Sequence, residues 1–320
     1  MPMNLIFAGT PEFSVPALEA LRHAEHNIIA VYTQPDRPAG RGRRFISCPV
    51  KQCAEKLDIE IRQPENLAGE VKRLRTEAPD AIIVIAYGQI LPANILTIPR
   101  FGCLNVHASL LPRWRGAAPI ARTIEAGDAV TGVTVMQMES GLDTGPVLAE
   151  AQIPVHEHDT AQTLHDRLAR LGAETLVTTL DRLARGEVTP CPQDNAHACY
   201  AKKLRKQEAP LDWQQAARVL HRKIRAFVPW PVASTTWQGK TLRLWDVAAP
   251  KHDRSPAGPP GTVASADAAG ISVWTGDGTI TITRLQTEGG KIMTAGEFLN
   301  GHQLAAGDRL GHDAHRDTGR

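Results

Sequence analysis

An amide, an imidazole and a hydroxyl recur at alternate positions in Cys103-Leu-Asn-Val-His-Ala-Ser109, as Asn105, His107 and Ser109. In an extended chain successive side chains point to opposite faces, so these three share one face. Together they could stabilise an oxyanion through the amide and move a proton through the imidazole. Further on, Gly141-Leu-Asp-Thr-Gly145 sets Asp143 on a tight, glycine-flanked loop. As a turn former Asp143 needs no other role; the alternative is that its carboxylate orients or deprotonates His107. A different chemistry is offered by Gln34 to Val50, where Arg37, Arg41, Arg43 and Arg44 stand among prolines and glycines. Guanidinium groups on such a segment suit phosphates, which they meet with paired, charge-assisted hydrogen bonds. A solvated basic loop is the plain alternative.

The elements that must position these groups follow from hydrophobic patterning. Cys103 to Val106 reads as a buried strand, and Pro112 stops the run. The polar residues therefore sit at a strand end opening into a loop, the place where open α/β sheets bind ligands. Asn4 to Ala8 is a short apolar run closed by Gly9-Thr-Pro11, with a helix starting near Glu12 and a further strand over Asn27 to Thr33. This opens a βαβ unit and predicts a doubly wound, mainly parallel sheet. Only Gly9 is present of a G-x-G-x-x-G fingerprint, so this turn is read as scaffold rather than a dinucleotide site. Helices are expected over Val50 to Leu57 and Leu67 to Glu77, and Asp80 to Tyr87 has the continuous apolar run of a central strand. Ile90 and Leu91, leaving that strand at the same rim, either wall an apolar ligand pocket or belong to ordinary core. Ala117 to Ala126 reads as a helix, Thr131 to Met138 as a strand, and Thr160 to Gly186 as a long amphipathic helix with core leucines. After Val188 periodicity fades into a linker. A helix near Trp213 to Phe227 then precedes short strands, with a hairpin signal over Ile271 to Thr275, Gly276-Asp-Gly278 and Thr279 to Leu285. The second domain is expected to be mainly β, with a polar loop from Arg254 to Pro260.

Composition narrows the classes. The 320 residues suffice for two domains, and 42% hydrophobic with 22% charged residues are ordinary for a globular protein. A formal net charge of +2 implies no polyanion partner by itself. The five cysteines are scattered without a C-x-x-C pair, against a disulfide framework or a zinc site and in favour of a reducing cytoplasm. Neither a leader peptide nor an apolar run of about 18 residues is apparent, so the chain is read as neither exported nor membrane-embedded. No P-loop, metal-ligand spacing or G-x-S-x-G elbow is present.

Asn105-Val-His-Ala-Ser-Leu-Leu-Pro112, followed by Leu142-Asp-Thr-Gly145, resembles the signature of the formyltransferases that use 10-formyltetrahydrofolate. Phe7-Ala-Gly-Thr-Pro11, Thr33-Gln-Pro-Asp-Arg-Pro-Ala-Gly-Arg-Gly42, Arg113-Trp-Arg-Gly-Ala-Ala-Pro119 and Ile224-Arg-Ala-Phe-Val-Pro-Trp-Pro231 extend the resemblance over nearly the whole chain. They narrow it towards members whose acceptor is initiator methionyl-tRNA. The resemblance implies a Rossmann-like catalytic domain, here 1–188, joined to an OB-fold-like tRNA-binding domain, here 209–310; composition sets the linker over 189–208 and a disordered tail over 311–320. The resemblance also implies formylation of the methionine α-amine for translation initiation; the cysteine pattern points to the cytoplasm, the want of an exposed apolar stripe to a monomer, and the want of metal-ligand spacing to a reaction without a metal. Asn105, His107 and Asp143 would be catalytic: Asn105 and a protonated His107 would donate to the oxyanion, while Asp143 would hold His107 and help take the amine's proton. Ser109, Leu110, Leu111 and Pro112 would border the folate, with Ile90 and Leu91 as weaker candidates. Arg41 would reach the acceptor stem, and Arg43 and Arg44 neighbouring phosphates. Lys202, Lys203, Arg205, Lys206, Arg222, Lys223 and Arg225 either extend that track or form a solvated face. Enzymes formylating an amino sugar or a purine precursor, or hydrolysing formyl-folate, would share the catalytic three; the arginine loop and the second domain argue against them. An idle RNA-binding protein is the rival from another class.

Overall fold

The computed structural model describes residues 2–39, 44–251 and 258–311, and these group into two compact units. The first runs to Pro119 and adds Val130–Pro154 and His165–Lys202. Ile120–Ala129, Val155–Leu164 and the chain from Lys203 onward make the second. Arg41, Arg43, most of the Arg254 to Pro260 loop and all but Gly311 of the expected tail lie outside the described residues.

In the first unit the buried run β1 (Asn4–Gly9) ends where a side chain at Gly9 would press within 2.9 Å of Phe7 and Ser14. The following helix can therefore approach closely, and Ser14 Oγ donates to the carbonyl of Ile85 at 2.7 Å. Next come α1 (Val15–His23), β2 (Asn27–Tyr32), the strand pair β3 (Arg37–Ala39) and β4 (Arg44–Ile46), α2 (Pro49–Lys56) and β5 (Ile61–Arg62). α3 (Val71–Glu77), β6 (Ala81–Ile85), α4 (Ala93–Leu96), β7 (Cys103–His107), β8 (Arg115–Gly116), α5 (Pro119–Ala126), β9 (Val130–Gln137), β10 (Val147–Pro154), α6 (Ala161–Ala184) and β11 (Tyr200–Ala201) complete the elements up to Lys202. The main sheet has the order β10-β9-β7-β6-β1-β2-β5, so the fully apolar β6 is the middle strand, as its composition predicts. β5, β2, β1, β6 and β7 are parallel; β9 and β10 form an antiparallel edge, a direction the patterning of Thr131 to Met138 did not specify.

Alternation along β7 decides what each face does. Leu104 and Val106 point towards α6, where Gly172 leaves so little room that a Cβ would lie 2.9 Å from Val106. On the other face, Ile82 pairs with Cys103 and Val84 with Asn105. Ile82, Val84 and Cys103 join a core with Ile6, Ala8, Leu74, Leu91 and Ile95. Apolar at its base, this row turns polar at Asn105 and His107. The expected linker is irregular, yet its first part is docked: Cys191 bridges Val147, and Tyr200 and Ala201 pair in parallel with Arg115 and Gly116.

The second unit is β-rich. α7 (Ala217–Ala226) buries Ala217, Leu220, His221 and Ile224, the stripe of an amphipathic helix. β12 (Ser234–Trp237), β13 (Lys240–Lys251), β14 (Val263–Asp267), β15 (Gly270–Trp274), β16 (Thr279–Thr287) and β17 (Ile292–Thr294) form one antiparallel sheet, and α8 (Ala295–Gly301) follows. β15 and β16 are the expected hairpin. Leu220, Ile224, Trp237, Leu244, Ile271, Ile282 and Phe298 meet in its core. Three cations proposed for a basic track are engaged by carbonyls: Arg222 by Ala126 at 3.2 Å, Lys223 by Pro210 at 3.0 Å and Arg225 by Asp159 at 2.7 Å. They hold chain segments within this unit. Among the described residues no helix is long and apolar enough to cross a membrane.

Candidate active site

Asn105 and His107 stand where the sequence puts them, on one face of β7 at its end. The Asn105 amide is partly exposed and has no hydrogen-bond partner among the described residues, so its donors are available. His107 is buried and fixed on both sides. Its Nε2 donates to the carbonyl of Trp114 at 2.9 Å, and its Nδ1 lies 3.7 Å from Asp143 Oδ2. The structure thus brings Asp143 to the imidazole, at ion-pair rather than hydrogen-bond separation. Both ring nitrogens face oxygen atoms, Nε2 the Trp114 carbonyl and Nδ1 the Asp143 carboxylate. Donation from His107 to a substrate oxygen requires exchange of the Trp114 bond.

Asp143 adopts a left-handed backbone, φ 53°, which asparagine and aspartate tolerate better than most residues. Its turn-forming and ring-facing readings therefore hold together. Oδ2 also accepts the Gly116 N–H at 2.8 Å. Gly116 itself has φ 111°, and a Cβ there would come 3.0 Å from the Ala201 carbonyl. A Cβ on Gly145 would collide with the Gln137 carbonyl oxygen. Glycine at these two places lets the loops approach.

Ser109 lies beyond the end of β7. Its hydroxyl is buried and donates to the Arg113 carbonyl at 2.6 Å, which folds the loop after the strand. Thr134, paired with His107 in the sheet, clamps the same loop: Oγ1 accepts the Leu111 N–H at 3.0 Å and donates to the Ser109 carbonyl at 2.8 Å. Leu111 is buried, whereas Leu110 and Pro112 are half-exposed. Ile90 and Leu91, treated as a pair in the sequence, part company. Leu91 is core, while Ile90 is 92% exposed and belongs to neither core nor enclosed wall. Arg44 opens β4, and Arg41 and Arg43 lie outside the described residues.

Several participants had no sequence signal. The Trp114 carbonyl is main chain, and Thr134 looked like one residue of a strand. Arg115 is 2% exposed and is held by Gln193 Oε1, at 3.0 and 2.7 Å, and by Asn195 Oδ1 at 2.9 Å. Its partners come from the stretch expected to be a linker.

A family model described as formyl transferase matches residues 3–180, and one described as formyl transferase, C-terminal domain, matches 203–303. The chain is 50% identical over 312 residues to "Methionyl-tRNA formyltransferase" of Hydrogenovibrio crunogenus, covering 97% of this chain and 99% of that protein. It is 50% identical over 309 residues to the protein of the same name from Nitrosococcus oceani, covering 96% and 95%. Among solved structures, HypX from Aquifex aeolicus in complex with tetrahydrofolic acid is similar at a TM-score of 0.64 and 20% identity, over 93% of this chain and 48% of HypX. That likeness shows a shared fold.

Proposed function

Because the chain belongs to the formyl transferase family, we propose that it transfers the formyl group of 10-formyltetrahydrofolate to the α-amine of methionine on initiator methionyl-tRNA, for translation initiation. The observation that carries the chemistry is an uncommitted Asn105 amide beside a His107 ring whose Nδ1 lies 3.7 Å from Asp143. The full-length relatives carry the choice of acceptor. The basic loop supports it, since guanidinium groups suit a phosphate backbone.

Asn105 donates an N–H to the formyl oxygen as the methionine amine attacks and negative charge develops there. A free α-amine has a pKa near about 8, so the neutral nucleophile is accessible without a strong base. The proton leaving the attacking amine goes to the Asp143–His107 pair. Collapse of the tetrahedral adduct re-forms the formyl carbonyl and breaks the bond to N10 of the folate, which departs with the proton that this pair gives back. Ser109, Leu110, Leu111 and Pro112 border the folate. Half-exposed Leu110 and Pro112, with exposed Ile90, offer the apolar surface that a flat ring system would cover. Arg41 reaches the acceptor stem, with Arg43 and Arg44 on neighbouring phosphates, and phosphate contacts position the tRNA end. The protein works as a cytoplasmic monomer.

Single-turnover transfer of labelled formyl to methionyl initiator tRNA, beside methionyl elongator tRNA, tests this reading. Transfer to the initiator alone, nearly abolished by Asn105→Ala and weakened by Arg41→Ala, is expected. Transfer to neither tRNA while folate still binds would overturn the acceptor and direct attention to amino sugars.

A further inference from the structure

We infer that Gln193, in the stretch after α6, is a positioning residue that holds the Asp143 loop in its working place for the formyl transfer proposed above, on which this role rests. From Cys191 to His197 the chain is exposed at every residue except Gln193. The Gln193 carboxamide is fully used. Nε2 donates to the carbonyls of Asp143 at 2.8 Å and Gly145 at 2.7 Å, while Oε1 accepts twice from Arg115. Two donors and two acceptor sites are what one carboxamide possesses. Its orientation is therefore fixed, because a flipped amide would set N–H against guanidinium and oxygen against both carbonyls.

Arg115 makes this anchor stiff. Its guanidinium is buried, and its acceptors among the described residues are amide oxygens of Gln193 and Asn195. A buried cation without those bonds is costly, so the Arg115–Gln193 contact is strongly specified. From that fixed point Gln193 grips the backbone on both sides of Thr144. The loop so held presents Asp143 Oδ2 to the Gly116 N–H and to His107 Nδ1. Gln193 touches no reacting atom in this scheme and acts through Asp143.

Gln193→Glu separates this role from simple anchoring. A carboxylate still accepts from Arg115, but it cannot donate to the two carbonyls. Asn195→Ala is the complement, removing an Arg115 acceptor and leaving the Asp143 loop untouched. Formyl transfer by the full-length enzyme, with kcat and KM for both substrates, is measured beside amide hydrogen exchange at Gly116 and thermal unfolding. For Gln193→Glu the expected result is a kcat lowered at least about tenfold with KM values within about threefold, and a protein still folded at the assay temperature by thermal unfolding. Gly116 exchange should accelerate at least about tenfold, because its acceptor has moved. Asn195→Ala should stay near wild type in kcat and in Gly116 exchange. Wild-type kcat with wild-type Gly116 protection in Gln193→Glu overturns the inference. So does an equal loss of kcat in Asn195→Ala, which would assign the effect to Arg115. Should the wild-type enzyme not formylate methionyl-tRNA, the proposed function falls, and Gly116 exchange still decides whether Gln193 holds the loop.

Discussion

Asn105 is the side chain at this strand end with hydrogen-bond donors to spare. His107 is committed to Trp114 and Asp143, and Ser109 to Arg113. On the proposed mechanism oxyanion donation rests on this amide, and Asn105→Ala should lower single-turnover formyl transfer by about a hundredfold or more. Because the amide has no partner among the described residues to lose, the unfolding midpoint should move little. Asn105 and His107 were legible because alternation along a strand is a strict geometric rule and both are polar in an apolar run. Asp143 was legible as a candidate only, since a carboxylate between glycines also makes turns. Gln193 was not legible, for it meets Asp143 across 50 residues through main-chain carbonyls, which every residue type carries.

At the scale of elements, β9 supplies the restraint on the loop after β7. Thr134→Val keeps the shape but leaves the buried Leu111 N–H and Ser109 carbonyl without their shared partner. A loss of about 2–4 kcal/mol in chemical denaturation is expected, by the cost of unmade buried hydrogen bonds. KM for the folate should rise if that loop borders it. Patterning announced β9 as a strand but not its direction, because alternation is the same for parallel and antiparallel neighbours. The first part of the 189–208 stretch is less legible still. Its polar, aperiodic sequence carries no trace of docking, since what holds it is a two-residue strand pairing and amide contacts to Arg115.

For the whole molecule, pH and salt are the informative variables. His221 is buried in the second unit, and burial, reinforced by Arg225, pushes its pKa down to about 4. The folded form thus resists a proton that the unfolded chain binds near pH 6.5. Stability of that unit is fully present above about pH 6.5 and declines as pH falls towards about 4, by up to about 3 kcal/mol from this group. Unfolding followed at a series of pH values should show this slope, and His221→Leu should flatten it. Salt tests the other partner. Affinity for tRNA should fall as salt rises, with the logarithmic slope reduced by roughly one in Arg41→Ala if that guanidinium neutralises a phosphate.

The docked stretch also sets an order of events during synthesis. Asn105, His107 and Asp143 leave the ribosome well before Gln193, Asn195 and Ala201, which follow some seconds later at roughly 5–20 residues per second. Until then Arg115 lacks its three acceptor bonds and Gly116 its strand partner. A fragment ended at 188, where helical patterning stops, would retain Asn105, His107 and Asp143 and still be arrested at this unfinished stage, so a piece that keeps the Arg115 and Gly116 contacts has to extend through Ala201.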